Sequence, residues 1–305
     1  NAVYTNVAGV GAYDTISGLP TSGVQRTRSG PQSTDTVAVA NLSIQKQFVG
    51  SSENGPVDTV GTNVTIGESA SYRLLVTLPE STITNLTVTD FVPAGMAYVA
   101  GSAAVDGTGF GGSLPGAPAV ATVGGSGDDI TFTFSGLTMV SNNNSAADNT
   151  FAITLDLMTL DLAGNDGLPA ALDSDGQTLL VNSAQVTYAG NPLPPPGSSN
   201  VTVTVVEPFL GVSKTLSGPV DGVVTFAITI TNRGPATAFD VVAADVIRAS
   251  YFQTATLVPV SIPAGFTYAA AGAAGDATIT LASDAAGGQV ANASESGEAE
   301  DINFT

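Results

Sequence analysis

Leu42-Ser-Ile-Gln-Lys46-Gln-Phe48 and Leu210-Gly-Val-Ser-Lys214-Thr-Leu216 hold the two lysines of this 305-residue chain, one in each copy of the same segment. In an extended strand, successive side chains point to opposite faces. Lys46 therefore shares a face with Leu42, Ile44 and Phe48, and Lys214 with Leu210, Val212 and Leu216. Each lysine is expected to point into an apolar core. A buried ammonium is costly unless a partner neutralises it or it gives up its proton. Both lysines are thus candidate functional groups.

The surroundings of the lysines repeat as well. Thr36-Val-Ala-Val-Ala40 leads into the first and Val201-Thr-Val-Thr-Val-Val206 into the second. An alternating strand follows each, residues 66–78 with Tyr72 and residues 222–230 with Phe226. Next come residues 85–93, containing Asp90, and residues 239–247, containing Asp245. The first copy continues through residues 130–134 and 150–157, and closes with residues 179–188, which contain Asn182. Pro192-Leu-Pro-Pro-Pro-Gly197 reads as a stiff linker. Short alternating strands at this spacing, with turn residues between them, predict an all-β fold of tandem immunoglobulin-like β-sandwich domains. No segment has the periodicity of a convincing amphipathic helix.

The expected division has three parts. Residues 1–35 read as the closing strand and linker of a preceding or neighbouring repeat, 36–205 as the first sandwich repeat, and 206–305 as a second, incomplete repeat. Ile302-Asn-Phe-Thr305 aligns near Phe151-Ala-Ile153, and the Asn182 strand has no later counterpart. Asn1-Ala-Val-Tyr-Thr5 resembles such a closing strand. Two explanations are open. The chain is a fragment of a tandem array, or Asn1 onward completes the second domain of a neighbouring copy and builds a head-to-tail fibre. A start at Asn1, without Met, fits a processed product or a window on a longer protein.

Composition narrows the function. Twenty-six acidic against 7 basic residues give a net charge of −19. That argues against nucleic acid as a partner and against docking on anionic lipid. No apolar run reaches the roughly 18 residues that span a bilayer, so no membrane insertion is expected in this segment. Without Cys or His there is no thiol nucleophile, no Ser-His-Asp triad and no ordinary zinc site. An enzyme acting on an external substrate would need paired carboxylates or a metal, and no motif fixes such a pair. The chain is therefore not expected to be an enzyme.

The pattern resembles the tandem β-sandwich repeats of large bacterial surface proteins. The residues that carry the resemblance are Lys214-Thr215, Gly67-Glu68 with Tyr72, Asp90 with Pro93, Tyr98-Val-Ala-Gly-Ser102, Asn182-Ser-Ala184, and Thr231-Asn-Arg-Gly-Pro235. It covers most of residues 36–305. Some members of that class are isopeptide-forming fimbrial or adhesin-stalk proteins, which implies a test on these residues. An isopeptide bond joins a lysine amine to an asparagine side-chain amide and expels ammonia. It needs an uncharged amine and a protonated carboxylic acid, and burial favours both.

Strand parity turns Lys46, Asp90 and Asn182 inward. Asp90 shares a face with Leu86, Val88 and Val92, and Asn182 with Leu180, Ala184 and Val186. The expected roles are nucleophile for Lys46, acyl donor for Asn182 and catalytic acid for Asp90, with Glu68 as second choice. Two plainer arrangements use the same residues. One is a buried Lys46–Asp90 ion pair with Asn182 hydrogen-bonded beside it; the other is an edge lysine whose amine reaches water. The second repeat offers Lys214 and Asp245 but no closing Asn. Asn232 lies in another motif, and Asn1 of another copy is the candidate intermolecular partner.

Asp161, Asn165, Asp166, Asp173 and Asp175 form a Gly-rich acidic stretch whose oxygens suit Ca²⁺. A solvated acidic turn is the alternative, and no cofactor is required. The expected function is that of an extracellular structural protein at the cell surface: a segment of a filament or adhesin stalk. Its expected partners are copies of itself or neighbouring repeats. The alternative is an adhesin module that binds a glycan or protein through its end loops. The absence of Trp and an aromatic content of 6% favour the structural reading.

Overall fold

The computed structural model describes residues 2–14, 27–39, 42–52, 59–79, 82–83, 85–114, 119–121, 125–138, 148–172, 175–188, 198–254, 257–272, 275–283, 290 and 301–304. Four strands come first: β1 (Ala2–Gly9), β2 (Ala12–Asp14), β3 (Thr27–Ser29) and β4 (Gln32–Val39). Next are β5 (Ser43–Ser51), β6 (Asn63–Val64), β7 (Ser69–Thr77), β8 (Thr82–Ile83), β9 (Leu86–Phe91), β10 (Met96–Tyr98) and β11 (Ala104–Asp106). They are followed by β12 (Ala119–Ala121), β13 (Ile130–Phe134), β14 (Leu137–Thr138), β15 (Thr150–Thr159), β16 (Leu179–Thr187) and β17 (Ser198–Val205). The last group is β18 (Leu210–Val220), β19 (Val223–Asn232), β20 (Val242–Ile247), β21 (Phe266–Ala271), β22 (Ala277–Ser283) and β23 (Asp301–Phe304). The fold is all-β, and among the described residues no helix is long and apolar enough to cross a membrane.

Two sheets form an immunoglobulin-like sandwich around one core. One sheet has the order β12-β13-β9-β16-β17-β6; the other has β10-β15-β7-β5, with β11 also on β15. Strict alternation of Val, Ile, Thr and Leu with polar residues makes these segments strands, because branched side chains suit a pleated, half-buried surface. The alternation then decides what is buried. β7 turns Ala70, Tyr72, Leu74 and Val76 inward, β9 turns Leu86, Val88 and Asp90, and β16 turns Leu180, Asn182, Ala184 and Val186. Each large apolar side chain fully withdrawn from water contributes about 1.5–3 kcal/mol before chain entropy is counted.

A second pair of sheets follows, with orders β18-β19-β23 and β20-β22-β21. Its buried cluster is small: Ile228, Ile230, Ala238, Val241, Phe266, Leu281 and Val290. β1 and β4 form a hairpin that pairs with nothing else among the described residues, and β2 pairs with β3. The expected boundary after residue 35 falls inside β4, and the one after residue 205 falls at the end of β17. The Pro192–Gly197 linker lies outside the described residues.

Candidate cross-linking site

Lys46 comes from one sheet of the sandwich, and Asp90 and Asn182 from the other. The β5–β7 register puts Lys46 opposite Leu74 and Phe48 opposite Tyr72. The β9–β16 register puts Ala184 opposite Asp90, which leaves Asn182 as the next inward residue along β16. The three residues meet between the sheets at relative exposures of 3%, 0% and 0% for Lys46, Asp90 and Asn182. Lys46 Nζ donates to Asp90 Oδ2. The same nitrogen lies 4.8 Å from the centroid of the Tyr72 ring, a cation–π position. The Lys46 backbone N–H donates to Ser199 Oγ on β17 at 3.0 Å, which fixes this point of β5 against the opposite sheet.

Asn182 is the anomaly of the core. Neither its amide oxygen nor its amide nitrogen makes a well-directed hydrogen bond, and Asp90 Oδ1 makes none either. Its amide still lies close enough to the Asp90 carboxyl and the Tyr72 hydroxyl to favour their charged forms. A buried polar group left without a partner costs about 1–3 kcal/mol, so three such atoms at one spot call for an explanation.

Electrostatics point the same way. Burial lowers the Lys46 amine from 10.5 to about 8, with the Asp90 charge and hydrogen bond opposing the shift. Burial raises the Asp90 carboxyl above its ordinary range, with Lys46 opposing. The Tyr72 phenol is also raised, first by burial and then by the Asp90 charge. Desolvation thus disfavours both charges of the Lys46–Asp90 pair and favours passing the proton from ammonium to carboxylate. That transfer would set a free amine and a carboxylic acid beside the uncommitted Asn182 amide in one dry space.

The other expected site residues are placed as follows. Glu68 is buried but serves a separate network: Oε1 accepts from Thr59 Oγ1 at 2.9 Å and Oε2 from the Thr65 N–H at 2.7 Å. Lys214 Nζ donates to both Asp245 oxygens, at 2.7 and 2.6 Å, and lies 4.3 Å from the Phe226 ring. Unlike Lys46, its side chain is 36% exposed, so strand parity misstates its burial. Asn232 is fully engaged in bracing a loop: its Nδ2 donates to the Ala236 and Val290 carbonyls, and its Oδ1 accepts from the Phe209 and Gly234 N–H groups. Asn1 and Asp173 lie outside the described residues.

Asn165 is 5% exposed, and its Nδ2 donates to the Gly95 carbonyl at 2.8 Å and the Leu160 carbonyl at 2.7 Å. Asp166 Oδ1 accepts the Leu168 N–H, while Asp161 and Asp175 are exposed. Among the described residues no three acidic groups gather as they would around a cation. Sequence reasoning missed Tyr72 as the floor of the lysine site and Ser199 as its brace. The signal for Tyr72 was available, since it shares the inward parity of β7.

No family model matches the chain, and no curated protein matches it in sequence. In shape it is similar to the T6 backbone pilin of Streptococcus pyogenes serotype M6, at 10% identity and a TM-score of 0.33, over 88% of this chain and 71% of that one. It is similar to the pilus backbone of Streptococcus pneumoniae at 16% identity and a TM-score of 0.32, over 87% of this chain and 49% of that one. It is also similar to the collagen-binding domain of a Staphylococcus aureus adhesin at 13% identity and a TM-score of 0.30, over 54% of this chain and 99% of that one.

Proposed function

We propose that this chain is a segment of an extracellular fibre or adhesin stalk, and that Lys46 and Asn182 become joined by an intramolecular isopeptide bond. One observation carries the reading. A lysine, a carboxyl and an asparagine amide with no hydrogen-bond partner converge from two sheets in a sealed core. Residues 36–205 and 206–305 are read as consecutive repeats, and 1–35 as belonging to a preceding or neighbouring one. The cell-surface setting rests on the resemblance of the repeat motifs.

The chemistry uses only what the core holds. Lys46 passes a proton to Asp90, and the free Nζ attacks Cγ of Asn182. Asp90 polarises the amide oxygen and then relays a proton to the departing nitrogen. The Cγ–Nδ2 bond breaks as the Cγ–Nζ bond forms, and ammonia leaves. One amide replaces another, so no outside reagent is needed. The product ties β5 to β16 and so ties one sheet to the other, a covalent brace suited to a part under tension.

Intact mass of the denatured chain tests this, with peptide mapping. A deficit of one ammonia, with the Lys46 and Asn182 peptides linked, is the expected result. An unmodified mass would reduce the site to a buried ion pair beside an unsatisfied amide.

A further inference from the structure

The second pair of sheets repeats the first around its lysine. Lys214 stands opposite Ile228 as Lys46 stands opposite Leu74. Phe226 lies beneath its amine as Tyr72 lies beneath that of Lys46. Asp245 stands opposite Ile279 as Asp90 stands opposite Ile130. The difference is the cover. β9 has β13 on one edge and β16 on the other, whereas β20 has β22 alone among the described residues. Val212, at the station of Ile44, is 72% exposed where Ile44 is 7% exposed. An open cleft of about 210 Å³ remains, lined by Val212, Lys214, Ile228, Ala243, Ala244 and Asp245.

The missing cover is present elsewhere on the chain. In the β16–β17 hairpin, Asn182 faces Val201 and Ala184 faces Ser199. In the β1–β4 hairpin, Asn6 faces Asp35 and Ala8 faces Ser33. Asn182-Ser-Ala184-Gln-Val186 and Asn6-Val-Ala8-Gly-Val10 share Asn, Ala and Val at the same alternate positions. Ser33 stands where Ser199 stands, and Ser199 accepts the Lys46 backbone N–H. β4 and β17 each run on into a lysine strand. The register therefore gives Asn6, rather than Asn1, the station of Asn182. The outer edge of β1 is unpaired among the described residues, while the matching edge of β16 is the one that pairs with β9.

We infer that the β1–β4 hairpin of one copy of this chain adds to the open edge of β20 in a second copy, with Ala8 opposite Asp245, and that Asn6 and Lys214 then join through an isopeptide bond. The inference rests on the reading of Lys46, Asp90 and Asn182 as a linking site. A second copy is the occupant because the same kind of hairpin already joins the two repeats inside the chain, through β17 into β18. Seating β1–β4 on β20 repeats that joint between copies. The contact is heterologous and does not close on itself, so it propagates as a filament. Docking covers Val212 and withdraws Lys214 from water, the condition that burial already imposes on Lys46. Lys214 passes a proton to Asp245 and attacks Cγ of Asn6. The Cγ–Nδ2 bond breaks, and ammonia leaves with a proton relayed by Asp245.

Incubation of the purified chain, followed by denaturing electrophoresis and peptide mapping, tests the inference. The expected result is a ladder of oligomers that survive denaturant, lighter by one ammonia per joint, with the Asn6 and Lys214 peptides linked. Asn6 is exposed in the single copy, so N6A is expected to fold normally. N6A alone and K214A alone should each run as monomers. Their mixture should give a dimer and nothing longer, because one copy keeps the acceptor and the other the donor. Monomers only, with Lys46 and Asn182 linked, overturn this inference and leave the proposed function standing. A ladder that survives N6A overturns the assignment of Asn6. Absence of both links overturns both readings.

Discussion

Ala184 stands directly opposite Asp90 across the β9–β16 pair. Because side chains alternate, that pairing carries Asn182 to the same inward face one pleat further along. A slip of one residue would turn Asn182 to the outside and leave the Lys46–Asp90 pair without an acyl donor. The small methyl of Ala184 also leaves room beside the carboxyl. Register therefore places the amide, and composition alone would not.

Asp90→Asn should stop the link from forming on the time scale of the wild type. Positioned acid–base groups contribute about 10²–10⁴ in rate. The variant also leaves a buried lysine without its counter-charge, which costs about 3–5 kcal/mol. The measurements are intact mass over time and the urea midpoint. Linkage at the wild-type rate would remove Asp90 from the chemistry.

Asn182→Ala removes the acyl donor but keeps the ion pair, so it isolates the worth of the bond. A cross-link closing a loop of roughly 140 residues stabilises by about 5 kcal/mol in the chain-entropy model. The variant should melt well below the wild type. It should also lose the buried carbonyl oxygen of Asn182, which returns part of that difference. A wild type that melts with the variant would mean that no bond was present.

Much of the sandwich was legible because β7, β9 and β16 keep a strict period of two and β15 departs from it only at Ala152. β10 and β11 have three residues each, too few for a period to show. β21 and β22 lie in a stretch rich in Ala and Gly, where few side chains are apolar enough to mark a face. For the site, parity turned Lys46, Asp90 and Asn182 inward, but local pattern does not report tertiary cover. Lys214 has the same parity and yet reaches solvent, because among the described residues nothing pairs along β20 on that side. The choice between Asp90 and Glu68 depended on which strand faces β5, which spacing does not contain. Sequence shows Asn165 as a residue type and not that its amide nitrogen ties the Gly95 and Leu160 carbonyls.

Asn165→Ala should destabilise the first sandwich by about 1–3 kcal/mol, since the Gly95 and Leu160 carbonyls each lose one of two donors. Gly95→Ala should act at the same place. Gly95 has φ of +103°, and the Asn165 amide occupies the space that a Cβ would take. Urea unfolding of the two single variants and the double variant would show strong non-additivity, because both disturb one contact. Additive losses would mean that the residues act independently.

The last prediction concerns protons and uses the unlinked Asn182→Ala chain. The Lys46 amine titrates near 8 in the fold and near 10.5 when unfolded. Between those values the unfolded chain holds the extra proton, so stability rises with pH. That contribution is complete above the unfolded value and is lost as pH falls through about 8. Asp90 has the opposite sign. Its raised carboxyl keeps a proton in the fold, so its contribution is greatest in acid and declines as pH climbs past the ordinary carboxylate range. The reference is a chain that also carries Lys46→Met and Asp90→Leu, which removes both groups and cancels every other titration. From pH 7.5 to 10, Asn182→Ala should gain stability on this reference, because the Lys46 shift lies in that window while the opposing decline of Asp90 begins at the ordinary carboxylate range. Urea midpoints across that range give the answer. A flat difference would mean that Lys46 keeps its proton in the core, and an amine that stays charged cannot attack Asn182.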